Sequence, residues 1–138
     1  MAIHASAAVR HGPGGWRGVL LRGPSGAGKS DMTLRLIDAG WRLISDDYTH
    51  VWTSGGRLYA APPERIAGRI EARGLGVASL LGRPSGRIVL VVDCIQAVAE
   101  RMPEEDAAEI AGIELPRLAL DIRPASAAVT LGLAIDRL

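Results

Sequence analysis

The sequence predicts an α/β fold with a mixed sheet and few helices, built around a phosphate-binding loop. The apolar run WRGVLLRG, residues 16–23, is typical of a buried strand and leads directly into GPSGAGKS, residues 23–30. Apolar residues at helical spacing follow. The later run GRIVLVVDC, residues 86–94, is apolar on both faces, which is typical of a central strand. Since 138 residues fit one core, we expect residues 1–138 to form a single domain.

The first half of the chain is predicted to alternate strands with one helix. Met32 and Leu36 lie on one helical face, and Gly40 provides a stop. The turn SGG suggests that residues 41–61 contain a hairpin. The predicted elements are a strand at 2–9, a loop at 10–15, a strand at 16–23, a helix at 29–39, a strand at 41–52 and a turn at 54–56.

The second half is predicted to be more irregular. Residues 69–82 show no clear period. Early acidic residues and a terminal Gly112 favour a helix in MPEEDAAEIAG, and Ser126 is available to cap the last helix. The predicted elements are a short helical turn at 62–66, a strand at 86–94, a helix at 102–112, a strand at 115–124 and a helix at 126–138.

The composition excludes several classes of protein. The net charge is +1 and no block of Lys and Arg is present, so nucleic acid binding has no electrostatic footprint. No apolar run approaches the roughly 20 residues that span a bilayer, and the N-terminus does not resemble a secretory signal. The lone Cys94 excludes an intramolecular disulfide and is expected to be a small buried hydrophobe. We therefore expect a cytoplasmic protein without membrane or nucleic acid partners.

The stretch GPSGAGKS matches the phosphate-loop pattern G-x-x-x-x-G-K-[ST]. Its glycines let backbone N–H groups point at phosphate oxygens, and the following helix adds a favourable partial charge. Lys29 would reach the β- and γ-phosphates, and the Ser30 hydroxyl would ligate Mg²⁺. The predicted nucleotide-binding residues are Gly23, Ser25, Gly26, Ala27, Gly28, Lys29 and Ser30.

Two acidic positions compete as partners of the loop. A generic phosphate-loop rule chooses Asp93, at the end of the strongest apolar strand. The rival is the pair Asp46 and Asp47, directly after the strand that follows the loop helix. Adjacent residues on a strand point to opposite faces, so the two carboxylates would share a pocket only if the backbone bends there. One carboxylate for Mg²⁺ and one for proton transfer would account for the pair.

These pieces together resemble the catalytic domain of the HPr kinase/phosphorylase family. GPSGAGKSDMTLRLIDAGWRLISDDY resembles its phosphate loop, helix and Asp-Asp strand, and IEARGLGV resembles its Arg-Gly-Leu-Gly signature. IELPRLALDIRP resembles a late strand that ends in Arg-Pro, and His4 matches an early strand histidine. The resemblance implies a phosphate-loop kinase fold of the HPr kinase/PEP carboxykinase-like type. It also implies that ATP and Mg²⁺ serve to phosphorylate a serine of an HPr-like phosphocarrier protein.

The resemblance also assigns roles to residues. Asp46 would be the general base toward the serine hydroxyl, with His4 beside the aspartate pair and Arg123 near the transferred phosphoryl group. Asp47 and Glu71 would hold Mg²⁺ with Ser30. Ser25 would contact phosphate. Asp93 stays a runner-up metal residue, because the family does not rely on an acid there.

The chain departs from the family in places. Ala125 and Ser126 follow the late Arg-Pro where the family continues with Gly-Arg, so we expect weak or no phosphorylase activity. We expect a compact, alphaproteobacterial-like form of the family without the N-terminal domain. The resemblance implies a homo-oligomer, but we do not expect the terminal helices that longer members use for hexamers, so a hexamer is less expected. Two other functions stay open: a small-metabolite kinase, disfavoured by the RGLG stretch, and a non-catalytic nucleotide sensor, disfavoured by both aspartates.

Overall fold

The computed structural model describes residues 1–95 and 106–138. Within these residues two α-helices pack against a large mixed sheet, which confirms the predicted fold class. The elements are β1 (Ala2–Gly12), β2 (Gly15–Arg22), α1 (Lys29–Asp38), β3 (Arg42–Ser45), β4 (Tyr48–Ser54), β5 (Arg57–Ala61), a 3₁₀ turn (Glu64–Ile66), β6 (Arg69–Ala72), β7 (Gly76–Ser79), β8 (Gly86–Ile95), β9 (Asp106–Ile110), β10 (Ile113–Asp121) and α2 (Ala127–Asp136).

Within the described residues the main sheet has eight strands, in the order β2-β1-β4-β5-β8-β10-β9, with β3 added beside β1. Strand β2 also pairs with β8, so the ladder through β1, β4, β5, β8 and β2 closes on itself. Strands β2, β8 and β10 are parallel to one another. Their carboxyl ends therefore lie on the same edge, where the phosphate loop begins. The predicted central position of β8 is confirmed.

Alternation along the strands builds two apolar cores. One lies between the sheet and both helices, and Val19, Leu21, Met32 and Leu36 belong to it. The other lies on the opposite face, where Leu20 packs. Strand β2 thus contributes to both cores, which explains why its sequence is apolar without interruption. No helix in the described part of the chain is long and apolar enough to cross a bilayer.

The N-terminal half follows the prediction with two corrections. The predicted loop over residues 10–15 shrinks to the two residues between β1 and β2, because both strands extend in a long antiparallel ladder. The predicted single strand over residues 41–52 is two strands, β3 and β4, separated by a bend at Asp46 and Asp47. Helix α1, the β4–β5 hairpin and the short helical turn are confirmed.

The C-terminal half corrects two further expectations. Residues 69–82, which lack a clear period, form the separate β6–β7 hairpin. The predicted helix over residues 102–112 is wrong for its described part, since Asp106–Ile110 is strand β9, paired with β10. Residues 102–105 lie outside the described residues. Ala111 and Gly112 both have positive φ, 50° and 83°, as a tight hairpin turn requires.

The late strand and the last helix form close to their predicted positions, as β10 and α2. Ser126 stands at the N-cap of α2, but its side chain makes no capping hydrogen bond.

Candidate active site

The phosphate loop joins the end of β2 to the start of α1. Gly26 and Gly28 adopt φ values of 86° and 96°, a region that residues with a side chain rarely enter. The loop therefore needs glycine at both positions. Lys29 begins the helix, and its ammonium group donates to the carbonyl oxygens of Gly23 and Pro24, at 2.6 and 3.1 Å. The positive charge is thus held over the loop.

A cleft of about 490 Å³ opens beside the loop. One wall is the loop with the start of α1, and the other is the Asp46–Asp47 bend with strand β6. Most of the predicted site residues line this cleft. They are Ser25, Gly26, Gly28, Lys29, Ser30, Asp46, Asp47 and Glu71.

Asp46 faces the loop and is nearly buried, with 9% of its surface exposed. Its Oδ1 accepts hydrogen bonds from the hydroxyls of Ser30, at 2.7 Å, and Ser6, at 3.1 Å. Its Oδ2 accepts the backbone N–H of Glu71 at 3.2 Å. Three donors from three elements therefore fix this carboxylate beside the predicted Mg²⁺-binding hydroxyl.

The Asp47 carboxylate contacts His4 and not Ser30. Its φ of 72° lies in the left-handed region, which aspartate tolerates better than most residues. The bend lets both carboxylates line one cleft although they are neighbours in sequence. The Oδ1 of Asp47 lies 2.8 Å from His4 Nε2, and the Tyr48 ring packs beside His4, with the ring centroids 5.2 Å apart. The two acids thus have separate partners.

Arg123 lies on another side of the loop. It lines a second cleft, of about 320 Å³, together with Ala27 and Arg73, and Arg73 lines the first cleft as well. The Arg123 guanidinium group donates to Asp121, with the Nε–Oδ1 distance at 3.0 Å. This hydrogen bond lowers the pKa of the Asp121 carboxyl below 3.8. Arg123 therefore lines the second cleft and not the first, and its expected approach to the transferred phosphoryl group stays a prediction.

Asp93 is engaged in an ion network instead of lining either cleft. Arg22 donates to its two carboxylate oxygens at 2.8 and 3.0 Å, and Arg117 also donates to it. Burial alone would raise the pKa of Asp93, but the two guanidinium groups outweigh it and hold the pKa below 3.8. This carboxylate of β8 thus links Arg22, at the end of β2, to Arg117, in the middle of β10.

Sequence reasoning missed Ser6. Its side chain is fully buried on β1 and contacts both aspartates, since its hydroxyl donates to Asp46 and accepts the N–H of Asp47 at 3.0 Å. The available signal was the one hydroxyl residue in the run AIHASAAV, two positions after His4.

The residues fit a magnesium ion bound together with a nucleotide. The described residues contain no group of three or more His, Cys, Asp or Glu side chains that could hold a metal alone. Ser30 and Asp46 instead bring a hydroxyl and a carboxylate together beside the loop, and Asp47 and Glu71 line the same cleft. Oxygen ligands of this kind suit Mg²⁺, which takes one or two carboxylates and completes its shell with substrate phosphates and water.

The fold and this cleft define a phosphate-loop α/β domain of the nucleotide-binding type. The chain belongs to the HPr serine kinase C-terminal domain family, whose model matches residues 15–134.

The chain is similar to several HPr kinase/phosphorylases. It is 36% identical over 120 residues to that of Geobacillus thermodenitrificans, which covers 78% of this chain and 39% of the relative. The protein of Brevibacillus brevis is 32% identical over the same shares. The chain thus spans about two fifths of the length of these relatives. The solved structure of the Hpr(Ser) kinase/phosphatase from Coxiella burnetii matches with a TM-score of 0.75 at 23% identity, covering 100% of this chain and 93% of that one, which supports the fold.

Proposed function

We propose that residues 1–138 form a single catalytic domain that transfers the γ-phosphoryl group of ATP, with Mg²⁺, to a serine of an HPr-like phosphocarrier protein. The observation that carries the proposal is that the two aspartates beside the phosphate loop have different partners. Asp46 bonds the loop serine, whereas Asp47 bonds a histidine and is half-exposed to solvent. Membership of the family and the names of the relatives support the same chemistry.

The nucleotide would be held by the loop. Backbone N–H groups and the N-terminus of α1 would bind the phosphates, and Lys29 would move from its loop carbonyls to the phosphate oxygens. Ser30 and Asp46 would hold Mg²⁺, with Glu71 near it on the cleft wall. The bound ion would supply charge neutralisation at the β- and γ-phosphates.

Asp47 is the better placed general base. Its carboxylate is oriented by His4 and accessible to a substrate hydroxyl, while Asp46 is enclosed by three donors. The serine oxygen attacks the γ-phosphorus, the bond from phosphorus to the β–γ bridging oxygen breaks, and the serine proton passes to Asp47. ADP and the phosphorylated serine are the products. These roles for Asp46 and Asp47 are the reverse of those expected from the sequence.

Labelled ATP and purified HPr-family carriers test the proposal. Incubation with Mg²⁺ should label a carrier, and mass spectrometry of the peptide should place the phosphate on a serine. Lys29→Ala serves as the control and should label nothing. Absence of transfer to every carrier, with ATP bound normally, would contradict the proposal and favour a nucleotide sensor. Label recovered in a small metabolite would favour a metabolite kinase.

A further inference from the structure

Ser6 is a fully buried polar residue that touches both aspartates of the candidate active site. We propose that Ser6 is a positioning residue: its hydroxyl sets the direction of the Asp46 carboxylate and stabilises the bend at Asp47. The catalytic effect of Ser6 rests on the proposed function. The structural part of the inference concerns the geometry of the metal-binding carboxylate and is testable by nucleotide binding alone.

The sheet is interrupted where Ser6 acts. Strand β1 pairs with β4 through Ala2, Ile3 and His4, and it pairs with β3 only from Ala7 onward. Opposite this gap the chain bends through the aspartate pair instead of continuing the ladder. The N–H of Asp47 therefore donates to the Ser6 hydroxyl at 3.0 Å. The Ser6 hydroxyl thus accepts the N–H of Asp47, which has no partner strand at the bend.

The same hydroxyl also serves Asp46. It donates to Oδ1 at 3.1 Å, the atom that Ser30 contacts at 2.7 Å. A hydroxyl has one donor and two acceptor sites, so Ser6 satisfies both aspartates at once. Without this donor the carboxylate would be held less firmly, because only the hydrogen bonds from Ser30 and from the N–H of Glu71 would remain.

The hydroxyl distinguishes Ser6 from its small neighbours on β1. Its neighbours Ala5, Ala7 and Ala8 are also fully buried, so this part of β1 packs with small side chains. Alanine at position 6 would therefore suit the packing. His4 and Ser6 are two residues apart and share one face of the strand. Strand β1 thus places the His4 side chain against the Asp47 carboxylate and the Ser6 side chain against the backbone of the bend.

The test compares Ser6→Ala with Thr49→Val. Thr49 is an equally buried hydroxyl residue that donates to Ala5 O at 2.7 Å and bonds neither aspartate. Three quantities are measured: the transfer rate at saturating ATP, the affinity for a non-hydrolysable ATP analogue with Mg²⁺ and with EDTA, and the unfolding temperature. Ser6→Cys is the second variant, because it keeps the size and weakens both hydrogen bonds.

Ser6→Ala and Ser6→Cys should each reduce the transfer rate about tenfold or more, since small misplacements of reacting groups have large effects. The gain in analogue affinity on adding Mg²⁺ should shrink several-fold, while affinity in EDTA and the unfolding temperature should match those of Thr49→Val. Parent-like Mg²⁺-dependent affinity in both Ser6 variants would overturn the inference. An equal loss in Thr49→Val would do the same. If the parent phosphorylates no carrier, the proposed function fails, whereas the binding comparison still decides the role of Ser6.

Discussion

Replacing Asp93 with asparagine should destabilise the fold without affecting the metal requirement. Its carboxylate receives hydrogen bonds from Arg22, at 2.8 and 3.0 Å, and from Arg117. Hydrogen bonds to charged groups contribute roughly 1.5–3 kcal/mol each when buried, and solvent screening reduces this for partly exposed arginines. The Asp93 side chain is 21% exposed and the two arginines 33% and 27%. We therefore expect a loss of about 2–3 kcal/mol.

Thermal unfolding followed by circular dichroism measures this loss. For a chain of 138 residues, each kcal/mol corresponds to about 3–4 °C, so the midpoint should fall by roughly 6–12 °C. The matched control is Asp136→Asn, which removes the surface pair with Arg10, whose aspartate is 56% exposed. It should change the stability by less than about 1 kcal/mol. An unchanged midpoint in Asp93→Asn, combined with a raised Mg²⁺ requirement, would refute the structural role and restore the generic metal rule.

The stability that Asp93 contributes should also depend on pH. Its folded-state pKa lies below the ordinary 3.8, because the charges and hydrogen bonds of Arg22 and Arg117 outweigh burial. The contribution is therefore present in full above about pH 5 and is lost as the pH falls through the folded-state pKa. The midpoint gap between the parent and Asp93→Asn should accordingly narrow between about pH 5 and pH 3. A gap that widens on acidification would contradict this assignment.

Three further predictions follow from single residues. Lys29→Ala should weaken ATP binding at least tenfold, because the loop loses its ammonium group, and unchanged affinity by calorimetry would argue against the loop assignment. Gly18→Ala should destabilise the protein by about 1–3 kcal/mol or more in urea unfolding, because a Cβ there would lie 2.1 Å from the Ala8 carbonyl oxygen; parent-like stability would contradict the packing. Burial raises the pKa of Cys94 to about 11, so a thiol reagent at pH 8 should label it only after unfolding; fast labelling of the folded protein would disprove its burial.

The sequence was sufficient to predict the parts of the fold that local pattern determines. The loop needs its glycines and lysine at fixed spacing, and β8 needs an apolar run on both faces, so both were recognisable from residues alone. Strand β9 was not, because Asp106–Ile110 contains two alanines and Glu109, which favour helices. Its strand conformation comes from pairing with β10, which buries Ala108 and Ile110 on one face.

The sequence predicted which residues form the candidate site better than it predicted how their side chains are arranged. Motif order gave the loop, the aspartate pair and Glu71, which line one cleft. Which aspartate faces Ser30 depends on the left-handed bend at Asp47, and no local pattern determines that bend. It is instead supported by Ser6, forty-one residues earlier in the chain, through the sheet. Long-range contacts of this kind have no signature in a single sequence.

The central claim is that Asp46 holds Mg²⁺ and Asp47 is the general base. A comparison of Asp46→Asn with Asp47→Asn tests it most directly. The measurements are the Mg²⁺-dependent affinity for a non-hydrolysable ATP analogue and the single-turnover transfer rate to the carrier. Asp47→Asn should bind the analogue with Mg²⁺ as the parent does and lose about 10²- to 10⁴-fold in transfer rate, as expected for a lost general base. Asp46→Asn should lose the Mg²⁺-dependent part of the affinity. The opposite pattern, with Mg²⁺-dependent binding lost in Asp47→Asn and kept in Asp46→Asn, would contradict the assignment drawn from the Ser30 and His4 contacts.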